Sequence, residues 1–298
     1  MKTELVIQMP KQIKNDLQTF DFLVNNFYNK IVNNKNSEII LDFKKTRWLE
    51  ANMTSILGAI FEASFQNNNI IKLKSISNSI RKILLKNGFL PFYGIADEEV
   101  DIFHSTIKYK SFKESSNDEF QLYLLKTFLP KIRLNMSEEF KKEIRLNLEE
   151  IFQNARIHGQ CKRIHVCGQY YHKQSCVKFT ISNLGITIPE NVNKVVKSSI
   201  ENWEAIDWAT KDGNSTKFDS SGGIGLYQLC EFIKENHGKI QILSNYGYWE
   251  QSDNNFNFSK LDNNFRGTIV NIEVKIDDHI YISCEERKIL NSVINDIF

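Results

Sequence analysis

From Ser137 onward the apolar residues Phe140, Ile144, Leu148, Ile151 and Phe152 recur at steps of three and four, which is the period of a helix with one buried stripe. Ser137, followed by Glu138 and Glu139, predicts an N-cap and an acidic first turn, and Gly159 closes the pattern. On this helix Glu150 and Asn154 stand four residues apart, so their side chains project from one face a turn from each other. A carboxylate beside a carboxamide at the margin of an apolar stripe is costly to bury unless something charged or polar arrives between them. The alternative is an exposed pair at a fraying helix end, since Glu and Asn are mostly surface residues.

Ahead of this helix, strand and helix patterns alternate. Glu4–Gln8 reads as a short strand closed by Pro10, and residues 11–32 carry Ile13, Leu17, Phe20, Leu23, Phe27 and Ile31 at helical spacing. A continuous apolar strand over residues 38–43 follows, then a helix over 50–65, a strand at Ile70, and a helix over 77–87 with Gly88 in the C′ position. Such alternation argues for a small α/β layer. The acidic cluster Asp97-Glu98-Glu99 marks a junction, and residues 107–112 alternate as a half-exposed strand does. Two units, 1–105 and 106–298, are therefore expected.

At 298 residues, with 41% hydrophobic and 25% charged, the chain has room for two ordinary domains with cores of their own. A net charge of +2 without a dense basic stripe gives no footprint for nucleic acid. No segment approaches the length of an apolar membrane span, so a cytoplasmic protein with no membrane partner is expected. The cysteines, Cys161, Cys167, Cys176, Cys230 and Cys284, form no Cys-x-x-Cys pair and read as reduced thiols. Their spacing with His158, His165 and His172 matches no zinc knuckle.

Residues 150–159, Glu-Ile-Phe-Gln-Asn-Ala-Arg-Ile-His-Gly, resemble the N-box of the GHKL ATPase superfamily, and the Asn-Ala-x-x-His-Gly ending is most similar to anti-sigma-factor serine kinases. The resemblance implies that Asn154 ligates Mg²⁺, that Glu150 is the general base or orients the nucleophile, and that Ala155 and His158 belong to the nucleotide site. Residues 177–189 resemble the strand that ends in Asp-x-Gly-x-Gly and receives adenine. Here Gly185 and Ile188 fall in that box, but Asn183 replaces the Asp and Thr187 the second Gly. Asn183 can accept from the adenine amino group as a neutral partner, or turn to donate instead.

The polar stretch 190–221 takes the place of the lid over the triphosphate, with Lys211 or Lys217 as its cation. Gly222, Gly223, Gly225 and Leu226 then open a helix, and bare backbone N–H groups at a helix N-terminus cradle phosphate. This segment resembles the second glycine box of the superfamily. Gly267-Thr268 resembles the strand whose hydroxyl supports the adenine-binding residue, a role that falls to Thr268 toward Asn183.

Together these motifs imply a two-layer α/β sandwich with a mixed sheet that binds ATP and Mg²⁺. The N-terminal unit resembles a STAS domain, the fold of anti-sigma-factor antagonists, with Glu50-Ala51-Asn52 where many antagonists carry a phosphorylated Ser or Thr, and Thr54 and Ser55 a turn later. Docking rather than phosphorylation is then expected of it. The implied function is a serine/threonine kinase or partner-switching ATPase acting on a protein partner, with a homodimer as one arrangement. A nucleotide-gated binding module without turnover is the alternative.

Overall fold

The computed structural model describes residues 3–214 and 224–297. The chain is mixed α/β and carries several sheets. In its first third, strands Glu4–Gln8, Glu38–Asp42 and Ile70–Lys74 form a parallel sheet with Glu38–Asp42 in the middle. Ile39 of that strand stands between Leu5 and Ile71. The first helical run starts at Leu17 instead of residue 11. Gln12–Ile13 is drawn into a short parallel pair with Trp48–Leu49, and Asp16 caps the helix by accepting from the Thr19 amide at 2.8 Å. Helix Thr54–Gln66 follows a 3₁₀ turn over Ala51–Met53. Ser77 caps Asn78–Lys86, and Gly88, at φ 79°, ends it in the left-handed region that glycine tolerates.

The remaining residues build a five-stranded sheet in the order Lys239–Ser252, Asn255–Lys275, Cys176–Leu184, Arg163–Tyr171, Thr106–Lys113. The mixed sheet expected from the resemblance is instead antiparallel at every pairing. Two hairpins, 171–176 and 252–255, impose that direction on their own strands, and Asn255–Lys275 then docks antiparallel on Cys176–Leu184. The long helix Glu138–Ile157 begins at Ser137, whose Oγ accepts from the Phe140 amide at 3.1 Å. It covers one face of the sheet together with helix Ile224–Glu235. Phe152, Ile164, Phe179, Ile181 and Ile240 meet in that core.

The other face of the sheet is covered as well. Helix Thr54–Gln66 lies on strands Arg163–Tyr171 and Cys176–Leu184, and its apolar residues share one cluster with Tyr109, Cys167, Leu243 and Phe265 from the back of the sheet. Along Cys176–Leu184, Val177, Phe179 and Ile181 face the long helix, while Lys178, Thr180 and Ser182 meet the N-terminal unit. Thr106–Lys113 is therefore not the half-exposed strand its alternation suggests: Ile107 packs in front and Tyr109 behind, and both are buried.

The layer between unit and sheet is polar and closely paired. Lys178 Nζ reaches Glu50 Oε1 at 2.7 Å and Glu273 Oε2 at 3.4 Å. Asn52 Nδ2 donates to Thr180 Oγ1 at 2.8 Å, and Ser55 Oγ meets Ser182 Oγ at 2.9 Å. Such groups are tolerated away from water because they are hydrogen-bonded. Among the described residues no helix is long and apolar enough to cross a membrane.

Candidate functional site

A pocket of about 880 Å³, its open mouth included, lies between the C-terminal half of the long helix and the front of the sheet. Glu150, Asn154, Ala155 and His158 line it from the helix, Asn183 and Thr268 from adjacent strands, and Ile188 and Leu226 from the starts of two later helices. Segments far apart in sequence thus meet at one concavity. Ile181, Ile186, Val192 and Val270 give it apolar walls.

Local geometry explains how the pieces meet. The amides of His158 and Gly159 both donate to Asn154 O at 2.9 Å, closing the helix. Gly159 O in turn accepts from the Ile186 amide at 2.7 Å. Gly185 passes so close that a Cβ on it would lie 2.0 Å from Gly159 O, and its φ of 148° disfavours any side chain. In register, Asn183 stands between Thr268 and Ile164.

Asn183 is buried, and its Nδ2 faces its neighbour's carbonyl, Leu184 O, at 3.4 Å. In that orientation the amide nitrogen is turned to the backbone and Oδ1 is the acceptor left to the side chain. Thr268, although opposite Asn183, does not bond it. Its hydroxyl meets Ser244 Oγ at 2.9 Å, and Ser244 Oγ accepts from the Ile188 amide at 3.0 Å. Thr268 supports the start of the Ile188–Val196 helix, because Ser244 is the nearer hydroxyl on its other flanking strand.

Opposite Asn154, the Gly225 amide donates to Glu150 Oε2 at 2.8 Å. This bond places a carboxylate at the N-terminus of the Ile224–Glu235 helix, where backbone N–H groups and the helix dipole favour an anion. A Cβ on Gly225 would come within 2.5 Å of the same oxygen. Lys211 does not line the pocket: it pairs with Asp207 at 2.9 Å and lies over the Phe256 ring. Lys217, Gly222 and Gly223 lie outside the described residues.

The stretch read from sequence as a polar lid loop contains two helices, Ile188–Val196 and Asn202–Ala209. They bring Asn191, Trp208, Ala209 and, just beyond, Asn214 to the pocket, none of which the motifs name. A signal was present in the sequence. Thr187 and Glu190 form a capping box with Pro189 in the first turn, a pattern that announces a helix start.

Elsewhere Thr54, Ser55 and four of the five cysteines are buried in packing. Thr54 and Ser55 are fully buried, and Ser55 Oγ donates to His165 O at 2.8 Å. Burial pushes the Cys161 and Cys167 thiols up to about 12 and Cys176 up to about 11, which keeps them protonated and poor nucleophiles. Among the described residues no three His, Cys, Asp or Glu side chains cluster so as to hold a metal. No protein-family model and no curated protein sequence matches the chain.

Proposed function

We propose that this pocket is a Mg²⁺–ATP site of the GHKL type, and that the chain is a regulatory protein kinase or partner-switching ATPase with a STAS-like N-terminal unit. The observation that carries the reading is convergence. Glu150, Asn154, Ala155, His158, Asn183, Leu226 and Thr268 are the positions that the motif resemblance implies, and they line one pocket with apolar walls.

The donor set fits the nucleotide. Ile181, Ile186 and Val270 suit the faces of a planar base, and the carboxamide oxygen of Asn183 suits an exocyclic amino group as a neutral acceptor. The N-terminus of the Ile224–Glu235 helix, whose Gly225 amide donates to Glu150, suits a phosphate oxygen. With no protein cluster of metal-binding side chains among the described residues, Mg²⁺ would be held by Asn154 together with phosphate oxygens and water, as is common for this ion. Bound there, the ion would neutralise charge on the phosphates.

The chain's own groups have distinct tasks in this reading. Asn154 positions, Glu150 orients a hydroxyl or water, and the helices Ile188–Val196 and Asn202–Ala209 exclude solvent from the mouth. A second reading, a nucleotide-gated binding module without turnover, is favoured by two observations: the base-recognition position is the uncharged Asn183, and the Glu150 carboxylate is engaged by Gly225.

Calorimetric titration of the protein with ATP, with and without Mg²⁺, tests the site. Saturable Mg²⁺-dependent binding that Asn154→Ala weakens about tenfold or more is expected, a loss of roughly 1.4 kcal/mol. Absence of binding by the wild type would overturn the reading. Label from γ-phosphate then separates the uses: transfer to a co-purified protein marks a kinase, release of phosphate an ATPase, and neither despite binding the module.

A further inference from the structure

The carboxyl ends of the parallel strands in the N-terminal unit open into a second depression, lined by Gln8, Lys11, Asp42, Lys44, Lys45 and Arg47. With its open mouth it measures about 1170 Å³. The carboxyl ends of strands in open parallel sheets are where ligands gather, because the connecting loops diverge there.

The charge balance is lopsided. Lys11, Lys44, Lys45 and Arg47 are all exposed. The ion pairs of this neighbourhood lie elsewhere, Lys14 with Asp16 and Lys72 with Glu38, and none among the described residues engages these four side chains. Asp42 is the one acid lining the depression, and it is committed to the scaffold. Its Oδ1 accepts from the Lys44 amide at 2.9 Å and its Oδ2 from Gln8 Nε2 at 3.1 Å. Those bonds hold its carboxyl below the usual range.

The loops carrying the cations are fixed. Thr46 Oγ1 donates to Pro10 O at 2.9 Å, and the Arg47 amide to Lys11 O at 2.8 Å. Arg47 Nη1 donates to Lys44 O at 2.9 Å, which orders the guanidinium. Beyond Trp48–Leu49 the segment is anchored by Glu50 on Lys178. A rigid cluster of like charges repels itself, and an anionic partner relieves that repulsion.

The lining also narrows the partner. No aromatic side chain contributes to it, so it lacks the stacking platform that single-stranded nucleic acid uses. Trp48, next to Arg47, is exposed but is not among the residues that line the depression. The lining side chains all end in a charged or carboxamide group and the depression is wide open, unlike the enclosed clefts that hold small organic ligands. Meanwhile helix Thr54–Gln66 is spent on the sheet, so it offers the unit's partners no free face. We propose that this depression is a docking site for an acidic segment of a protein partner, recognised through charge by Lys11, Lys44, Lys45 and Arg47. The proposal does not depend on nucleotide binding at the other pocket.

Fluorescence anisotropy of the full-length protein with a short labelled peptide rich in Asp and Glu tests it, with a single-stranded oligonucleotide of similar charge as the second probe. Saturable peptide binding is expected, weakening as salt rises. The double variant Lys44→Glu/Lys45→Glu should lose about tenfold or more in affinity, whereas Lys35→Glu/Lys82→Glu, with the same change in net charge elsewhere on the unit, should bind as the wild type does. Thermal melts of both variants that match the wild type show that folding is not the cause. No saturable binding, equal loss in both variants, or tighter binding of the oligonucleotide with the same dependence on Lys44 and Lys45 would each overturn the assignment.

Discussion

The Gly225 amide and the Glu150 carboxylate meet at 2.8 Å, so the N-terminus of the Ile224–Glu235 helix is capped by the side chain proposed to orient the nucleophile. A phosphate arriving at that helix end shares its electrostatic field with a carboxylate. Neutralising Glu150 removes the competition, which is worth up to roughly 1 kcal/mol at a helix terminus. Glu150→Gln should therefore bind an ATP analogue at least as tightly as the wild type, and up to about fivefold more tightly, while any turnover is lost. Turnover equal to the wild type in a clean preparation would remove Glu150 from the chemistry.

Asn183→Asp bears on base recognition. A charged acceptor is worth about 1 kcal/mol more than a neutral one in a hydrogen bond to the base. The same carboxylate, buried between Thr268 and Ile164 with no Lys or Arg among the described residues that line the pocket, costs stability when the pocket is empty. The expected result is a lowered melting temperature without ligand, a larger rise in melting temperature with ATP, and a sharper preference for adenine over guanine nucleotides. Unchanged selectivity would detach Asn183 from the base.

How much of this was legible depended on range. Ser137 as a cap and Gly88 as a stop are local features, settled by residues within a turn, and the structure has both. The pocket was legible because its motifs carry backbone demands of their own, as Gly185 does against Gly159. The covered back of the sheet was not. Thr180, Ser182 and Asn271 have the polar alternation of a solvent-facing surface, yet their partners Asn52 and Ser55 lie more than a hundred residues away. A local pattern reports that a position is polar, and only the tertiary fold says whether water or a carboxamide answers it. The direction in which Asn255–Lys275 docks on Cys176–Leu184 was hidden for the same reason, since register between distant segments leaves no periodic trace.

The buried pair Glu50–Lys178 ties the N-terminal unit to the sheet. Burial alone would lower the Lys178 ammonium, but Glu50 and Glu273 outweigh it and raise it. Lys178→Met strands Glu50 away from water and should cost about 3–5 kcal/mol. Adding Glu50→Gln should restore part of that loss, because the remaining carboxamide carries no net charge. Urea unfolding of the single and double variants measures both steps. A double variant no more stable than Lys178→Met would show that the pair's role is not electrostatic.

His165 supplies a pH dependence with a definite sign. Its Nε2 meets Glu62 Oε2 at 3.0 Å and its Nδ1 meets the Tyr109 hydroxyl at 2.9 Å. A carboxylate oxygen accepts, so beside Glu62 the His165 Nε2 carries the proton and Nδ1 accepts from Tyr109. Burial lowers the imidazole below its ordinary value, and Glu62 offsets only part of that shift. The unfolded chain, with a His near about 6.5, then binds a proton at a pH where the folded protein does not. Stability from this group is complete above about 6.5 and is lost as pH falls from there toward the folded value. Urea midpoints measured from about pH 8 down to about pH 5 should fall more steeply for the wild type than for His165→Gln, which has no charge to acquire. Parallel curves would mean that the imidazole is protonated equally in both states, and that the Tyr109–His165–Glu62 chain holds the sheet to the N-terminal unit without sensing pH.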